Sequence, residues 1–353
     1  MNKSYYSNYL TSNTLFYSMM LFMILLSILS ILLTNFIHLW MIMEINTLIF
    51  ISLMAMNSMN FKSTFNFFLI QSISSMIMIF LLILKNNLLI ITDYSELTNL
   101  ILIMSFSMKI GLFPFFYWPP LINNNLNWMM IFLNSTTQKF IPLLLLNLFL
   151  NSINEKYTNF LLILLAVLSS MFSTIMCLNE NNIKKILTYS SLNHLSWMMF
   201  IIIFDMSMFL IYFLMYSISM MFICLFLNKF NIHTYMNFIK FQNFNYKEFN
   251  FFLSLNFLII SALPPFLTFI IKINSMKIMI ESMSFSTSFI FTLISMFTLI
   301  FYMNIIIKMN MFSMIKTKFY LTNTLKLKFN FYSTILLSLM SLLFLFILYT
   351  MIN

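Results

Sequence analysis

Five ionisable side chains, Glu44, Lys109, Lys139, His194 and Lys272, lie inside hydrophobic runs long enough to cross a bilayer. An ion at mid-membrane costs about 2.5–3.5 kcal/mol. Glu44 and the three lysines, left unpaired, would together cost on the order of 10–14 kcal/mol, comparable to the net stability of a whole domain. They must be paired or hydrated within a bundle. One carboxylate among several ammonium groups has the properties of a proton relay, because desolvation readies an ammonium to give up its proton and a neighbouring carboxylate holds that proton in place. His194 adds an imidazole, the side chain suited to exchange near neutral pH, in the polar run Tyr189-Ser190-Ser191-Leu192-Asn193-His194.

Each residue also has a plainer reading. Glu44 and Lys109 can form a static pair that fixes helix packing, and His194 can be a hydrogen-bonded packing histidine. Lys272 can snorkel to the interface, although Pro264-Pro265 must interrupt its span and so draw it inward. Lys139 lies mid-span in Thr137-Gln138-Lys139-Phe140-Ile141-Pro142, where snorkelling is hardest. Lys109 stands beside Gly111, the one glycine of the chain, and Pro114 follows where a helix has to break.

The elements that position these groups are transmembrane helices. Of 353 residues, 61% are hydrophobic and 7% charged, and the mean hydropathy is +0.95. Repeated apolar runs of about 20 residues mark a polytopic, all-α membrane protein. Eleven spans are expected, interrupted near Pro114 and Pro264-Pro265. They are Thr14–Thr34, Phe36–Ala55, Thr64–Leu84, Leu97–Tyr117, Trp128–Leu150, Phe160–Leu178, Ile186–Phe204, Met206–Leu227, Asn250–Ile273, Phe285–Ile307 and Phe331–Met351. No soluble domain falls between them, so residues 1–353 are expected to form a single transmembrane domain.

All 18 basic residues are lysine, and with 35 Met and 45 Phe they point to an AT-rich coding sequence. Twelve of these lysines fall in loops on one side and only Lys85, Lys156 and Lys277 on the other. The N-terminus should therefore face the compartment where the protein is made. The same scatter of lysines among membrane loops explains the net charge of +10 without nucleic acid. One glycine cannot build a glycine-rich phosphate loop. The two cysteines, Cys177 and Cys224, give no iron–sulfur, zinc or disulfide spacing, so no cofactor or metal site is expected in this chain. Met1–Thr14 has no basic n-region leading to a small-residue cleavage site, so no cleavable signal is expected.

The order of these residues resembles the family of NADH dehydrogenase subunit 2, the antiporter-like membrane subunits of respiratory complex I. Trp40-Met41-Ile42-Met43-Glu44-Ile45-Asn46 is similar to W-x-G-x-E-x-N, and the run Met108–Trp118 to L-K-x-G-x-A-P-F-H-F-W. Thr137–Leu143 resembles W-Q-K-x-A-P-L, and Lys184–Trp197 resembles R-K-x-x-A-x-S-S-I-N-H-L-G-W. Ser261–Phe266, followed by Lys272, resembles G-G-L-P-P-F with its downstream lysine. The chain departs from the pattern at Lys62 and Asn66, at Phe116 in place of a histidine, and at most packing glycines. Water is expected to stand in for that histidine.

The resemblance implies an antiporter-like bundle in a proton-pumping NADH:ubiquinone oxidoreductase of the mitochondrial inner membrane, with the N-terminus on the matrix side and the C-terminus on the intermembrane-space side. It implies a Glu44–Lys109 pair, Lys139 as central relay and Lys272 toward the exit. FMN, iron–sulfur clusters and the NADH and ubiquinone sites would belong to partner subunits. The expected partners are other membrane-arm subunits, accessory subunits and lipid. Two alternatives remain at this point: a subunit of a secondary cation/proton antiporter, and a purely structural membrane scaffold.

Overall fold

In lipid every backbone N–H and C=O needs a partner within the chain, and a helix supplies one residue by residue. The computed structural model of this chain is accordingly helical; it describes residues 2–57, 61–87, 95–153, 156–230, 232–234, 247–264, 266–282 and 285–314. The helices are α1 (Asn2–Leu29), α2 (Phe36–Asn57), α3 (Phe61–Asn87), α4 (Ser95–Ile110), α5 (Trp118–Asn123), α6 (Trp128–Ser135) and α7 (Thr137–Ile153). They continue as α8 (Lys156–Asn179), α9 (Ile183–Phe204), α10 (Met206–Lys229), α11 (Lys247–Ser261), α12 (Leu267–Ser282) and α13 (Phe285–Met314). Strand-like pairing among the described residues amounts to one isolated bridge, Asn182 with Thr234.

Eight helical stretches among the described residues are long and apolar enough to cross a membrane. They correspond to eight of the eleven expected spans. The fourth and ninth are each divided: α4 stops after 16 residues at Ile110, and α11 and α12, of 15 and 16 residues, flank Pro264. A proline that cannot continue the helix splits each apolar run, so neither piece has the length of a straight crossing. The eleventh span, Phe331–Met351, and Pro265 lie outside the described residues.

The serines and threonines of these helices spend their hydroxyls locally. Ser27 donates to Ile24 O at 2.7 Å, Ser74 to Gln71 O at 2.8 Å and Ser105 to Leu102 O at 2.7 Å. Back-bonding of this kind lets a hydroxyl sit in an apolar helix at little penalty. It explains how so polar a sequence as that of α9 is buried along almost its whole length.

Contacts gather the chain into two compact units, one of residues 1–173 and 191–206, the other of residues 174–190 and 207–353. In the first, α2 packs on α1, α3 and α7, α3 packs on α4 and α5, and α4 and α6 both pack on α7. The rings of Phe50, Phe67 and Trp118 meet in series at 5.1 and 5.9 Å, tying α2, α3 and α5 together. In the second unit, α11, α12 and α13 pack mutually.

Candidate functional site

The first polar centre is built on the broken end of α4. Gly111 takes φ +85°, the left-handed region open to glycine, and the N–H groups of Gly111 and Leu112 both reach Ser107 O at 2.9 Å. This is a glycine C-cap with the six-to-one bond of a Schellman turn. A Cβ at Gly111 would stand 2.5 Å from Pro119 Cγ, so no other residue fits. The turn leaves carbonyls of the last helical residues without helical donors, and other elements supply them. The Trp118 indole N–H donates to Met108 O at 3.0 Å, and Gln71 Nε2 on α3 donates to Lys109 O at 3.2 Å.

Held at that terminus, Lys109 is 4% exposed and its Nζ donates to Glu44 Oε1 at 2.7 Å. The Glu44 side chain keeps 25% of its surface exposed. A short charge-assisted bond in a low-dielectric site is strong. A second ion pair, Lys185–Glu180 at 2.9 Å, is half-buried near the start of α9.

The second centre is Lys139, 3% exposed, in the first turn of α7. Its Nζ donates to Ser191 Oγ on α9 at 3.2 Å, a hydroxyl where Lys109 has a carboxylate. His194, also 3% exposed, lies three residues beyond Ser191 on the same helix. The chain is interrupted just before α7 at Thr136, with φ −116° and ψ −80°. Thr136 Oγ1 and Thr137 Oγ1 donate back to Phe132 O and Leu133 O at 2.8 and 3.0 Å. Sequence reasoning missed this third break, and the adjacent threonines were its only signal.

Lys272, in the second unit, is 6% exposed on α12. It is buried in the protein rather than laid along its outside, which removes the observation that snorkelling would need. The break before it repeats the Schellman pattern: Ala262 N reaches Ile259 O at 3.2 Å and Leu263 N reaches Leu258 O at 3.5 Å. Here the left-handed residue is Ala262, at φ +59°. Thr268 Oγ1 donates to Ile259 O at 2.7 Å.

The structure thus joins Glu44 to Lys109, sets Lys139 and His194 in the same unit as that pair, and carries Lys272 in the other unit. At Phe116, in the place of the family histidine, the side chain joins an aromatic stack. The Phe116 ring stacks with Phe172 at 5.3 Å and Phe113 at 6.4 Å, and Phe113 stacks with Phe172 at 5.2 Å.

Residues 33–300 match the NADH:quinone oxidoreductase/Mrp antiporter transmembrane family. NADH-ubiquinone oxidoreductase chain 2 of Anopheles gambiae is 31% identical over 300 residues, 81% of this chain and 83% of that one. The Aedes aegypti protein of the same name is 31% identical over 266 residues, covering 74% and 75%. A chain of respiratory complex I from Thermus thermophilus superposes with a TM-score of 0.72 at 15% identity, over 83% of this chain and 70% of that chain. A chain of the Mrp complex from Dietzia gives 0.66 at 11% identity, over 78% and 56%. These two likenesses show the shared fold. The chain belongs to the NADH:quinone oxidoreductase/Mrp antiporter transmembrane family.

Proposed function

We propose that this chain is a proton-translocating membrane subunit of NADH:ubiquinone oxidoreductase, coupling electron transfer from NADH to ubiquinone to proton movement across the mitochondrial inner membrane. The observation that carries the reading is the buried Lys109–Glu44 pair at 2.7 Å on a broken helix, in a chain that belongs to the family of such subunits. The chain acts as part of an enzyme complex and partners other membrane-arm subunits. In this reading residues 1–353 work as one antiporter-like domain with the N-terminus on the matrix side. FMN, iron–sulfur clusters and the NADH and ubiquinone sites lie in partner subunits, while accessory subunits and lipid cover the outside.

The chemistry follows from where the charges sit. While Glu44 faces Lys109, the carboxylate compensates a buried ammonium. Withdrawing the carboxylate leaves that ammonium uncompensated in low dielectric, a state costing about 3–5 kcal/mol. Releasing the proton removes the charge and the penalty with it. Lys139, whose Nζ donates to Ser191 Oγ three residues before His194 on α9, receives the proton through water. Lys272 is the station toward the exit.

Lys139→Ala in the assembled complex tests this. Fewer protons per electron are expected, measured as proton uptake against NADH oxidation in sealed membrane vesicles; unchanged stoichiometry would sink the relay. The second reading, a secondary cation/proton antiporter, draws on the fold shared with the Mrp complex, but the relatives near 30% identity carry the complex I name. Sodium-dependent proton exchange without flavin and iron–sulfur partners would favour it.

A further inference from the structure

Helix α2 packs on α7 and carries the partner of Lys109, and it meets the segments of the two lysines with different chemistry. Glu44 points to Lys109. Asn46, two residues on, lies about 200° further round the helix and turns to α7. Its Nδ2 donates to Thr137 O at 3.4 Å, and Gln138 Nε2 donates back to Asn46 O at 3.0 Å. Each side chain thus grips the other element's backbone. The part of α7 that is gripped, Thr137-Gln138, immediately precedes Lys139 and follows the interruption at Thr136.

Asn46 is 1% exposed, and its Oδ1 has no hydrogen-bond partner among the described residues. A buried acceptor without a protein donor costs about 1–3 kcal/mol unless it is otherwise satisfied. Within the protein, the hydrogen bond of this amide is the one its N–H makes to Thr137 O.

We propose that Asn46 and Gln138 are the positioning pair that couples the Glu44–Lys109 switch to Lys139. The inference rests on the proton-relay reading of this site. Because α2 carries the ion pair on one face and the clamp on the other, a turn or slide that withdraws Glu44 from Lys109 also pulls on Thr137 O and Gln138. Thr136 departs from helical angles between α6 and α7, so the first turn of α7 can tilt there and shift Lys139 against Ser191. Neither amide touches the proton in transit; both act through Lys139. A two-state element biased by both centres is what energetic coupling requires.

Three variants test the clamp in sealed vesicles, scored per assembled complex so that folding losses do not enter. Asn46→Leu and Gln138→Met keep side-chain bulk and remove the donors; Gln138→His keeps a ring N–H donor. Protons per electron should fall about two- to threefold in the first two, with a displaced pH profile of coupled turnover. Gln138→His should recover part of the loss. Unchanged stoichiometry and pH profile in the assembled Leu and Met variants overturn the proposal, as does a defect confined to assembly. Lys139→Ala run in parallel separates the two levels. If it lowers the ratio and the clamp variants do not, only the clamp fails; if it leaves the ratio intact, the relay fails and takes the clamp with it.

Discussion

The breaks before Lys272 and after Lys109 solve one problem with different residues. Both close a helix with a six-to-one bond around a left-handed residue, and at both a side chain donates to a carbonyl of the last turn. At the first, the residue is Gly111 and the donors come from Trp118 and from Gln71 on another helix. At the second, the residue is Ala262, and the donor to Ile259 O is Thr268, nine residues on in the same chain segment. The difference lies in crowding. At Gly111 a Cβ would collide with Pro119, whereas Ala262 already holds its methyl in a buried position. A left-handed alanine costs about 1–2 kcal/mol, which a packed bundle can carry. A left-handed alanine that also overlaps a proline ring is a different matter. In a chain with a single glycine, that glycine stands where strain and collision coincide.

The largest expected effect that tests this contrast is Gly111→Ala. Strain and overpacking together should destabilise by about 2–5 kcal/mol, read as loss of assembled complex and a lower unfolding temperature. An unperturbed variant would erase the distinction between the two breaks. Trp118→Phe should come next, at about 2 kcal/mol, because it strips Met108 O of its donor in a buried turn. It should also lower proton pumping per assembled complex, since the residue beside that carbonyl carries Lys109. Smallest is Ala262→Gly: relief of about 1–2 kcal/mol of left-handed strain less about 0.5–1 kcal/mol of glycine's chain entropy. The net is a gain near 1 kcal/mol or below, seen as a slightly higher unfolding temperature. A loss there would mean that the Ala262 methyl packs better than its backbone angle suffers.

The sequence made the ionisable positions legible because an ion in an apolar run is anomalous without reference to anything distant. Glu44, Lys109, Lys139 and Lys272 were each visible for that reason, and the interruptions near Pro114 and Pro264 because proline acts locally. What stayed hidden was either silent or long-range. Thr136 interrupts a helix while the hydroxyls of Thr136 and Thr137 bond back to Phe132 O and Leu133 O, with no proline or glycine to announce it. Gln71, Ser191 and the Asn46–Gln138 grip act on partners 38 to 92 residues away, a separation no local periodicity encodes. Two expected spans take the form of divided helices for a related reason: hydropathy counts apolar residues and does not register where the helix carrying them is cut.

One further consequence concerns what does not conduct. Phe113, Phe116 and Phe172 lie nearly parallel, with interplanar angles of 12 to 19°. Their stacked faces carry neither a lone pair nor an exchangeable hydrogen. The stack therefore offers a proton nowhere to bind beside the turn that follows Lys109. Where a membrane stores energy as a proton gradient, short-circuit resistance at such a joint matters as much as conduction along the path.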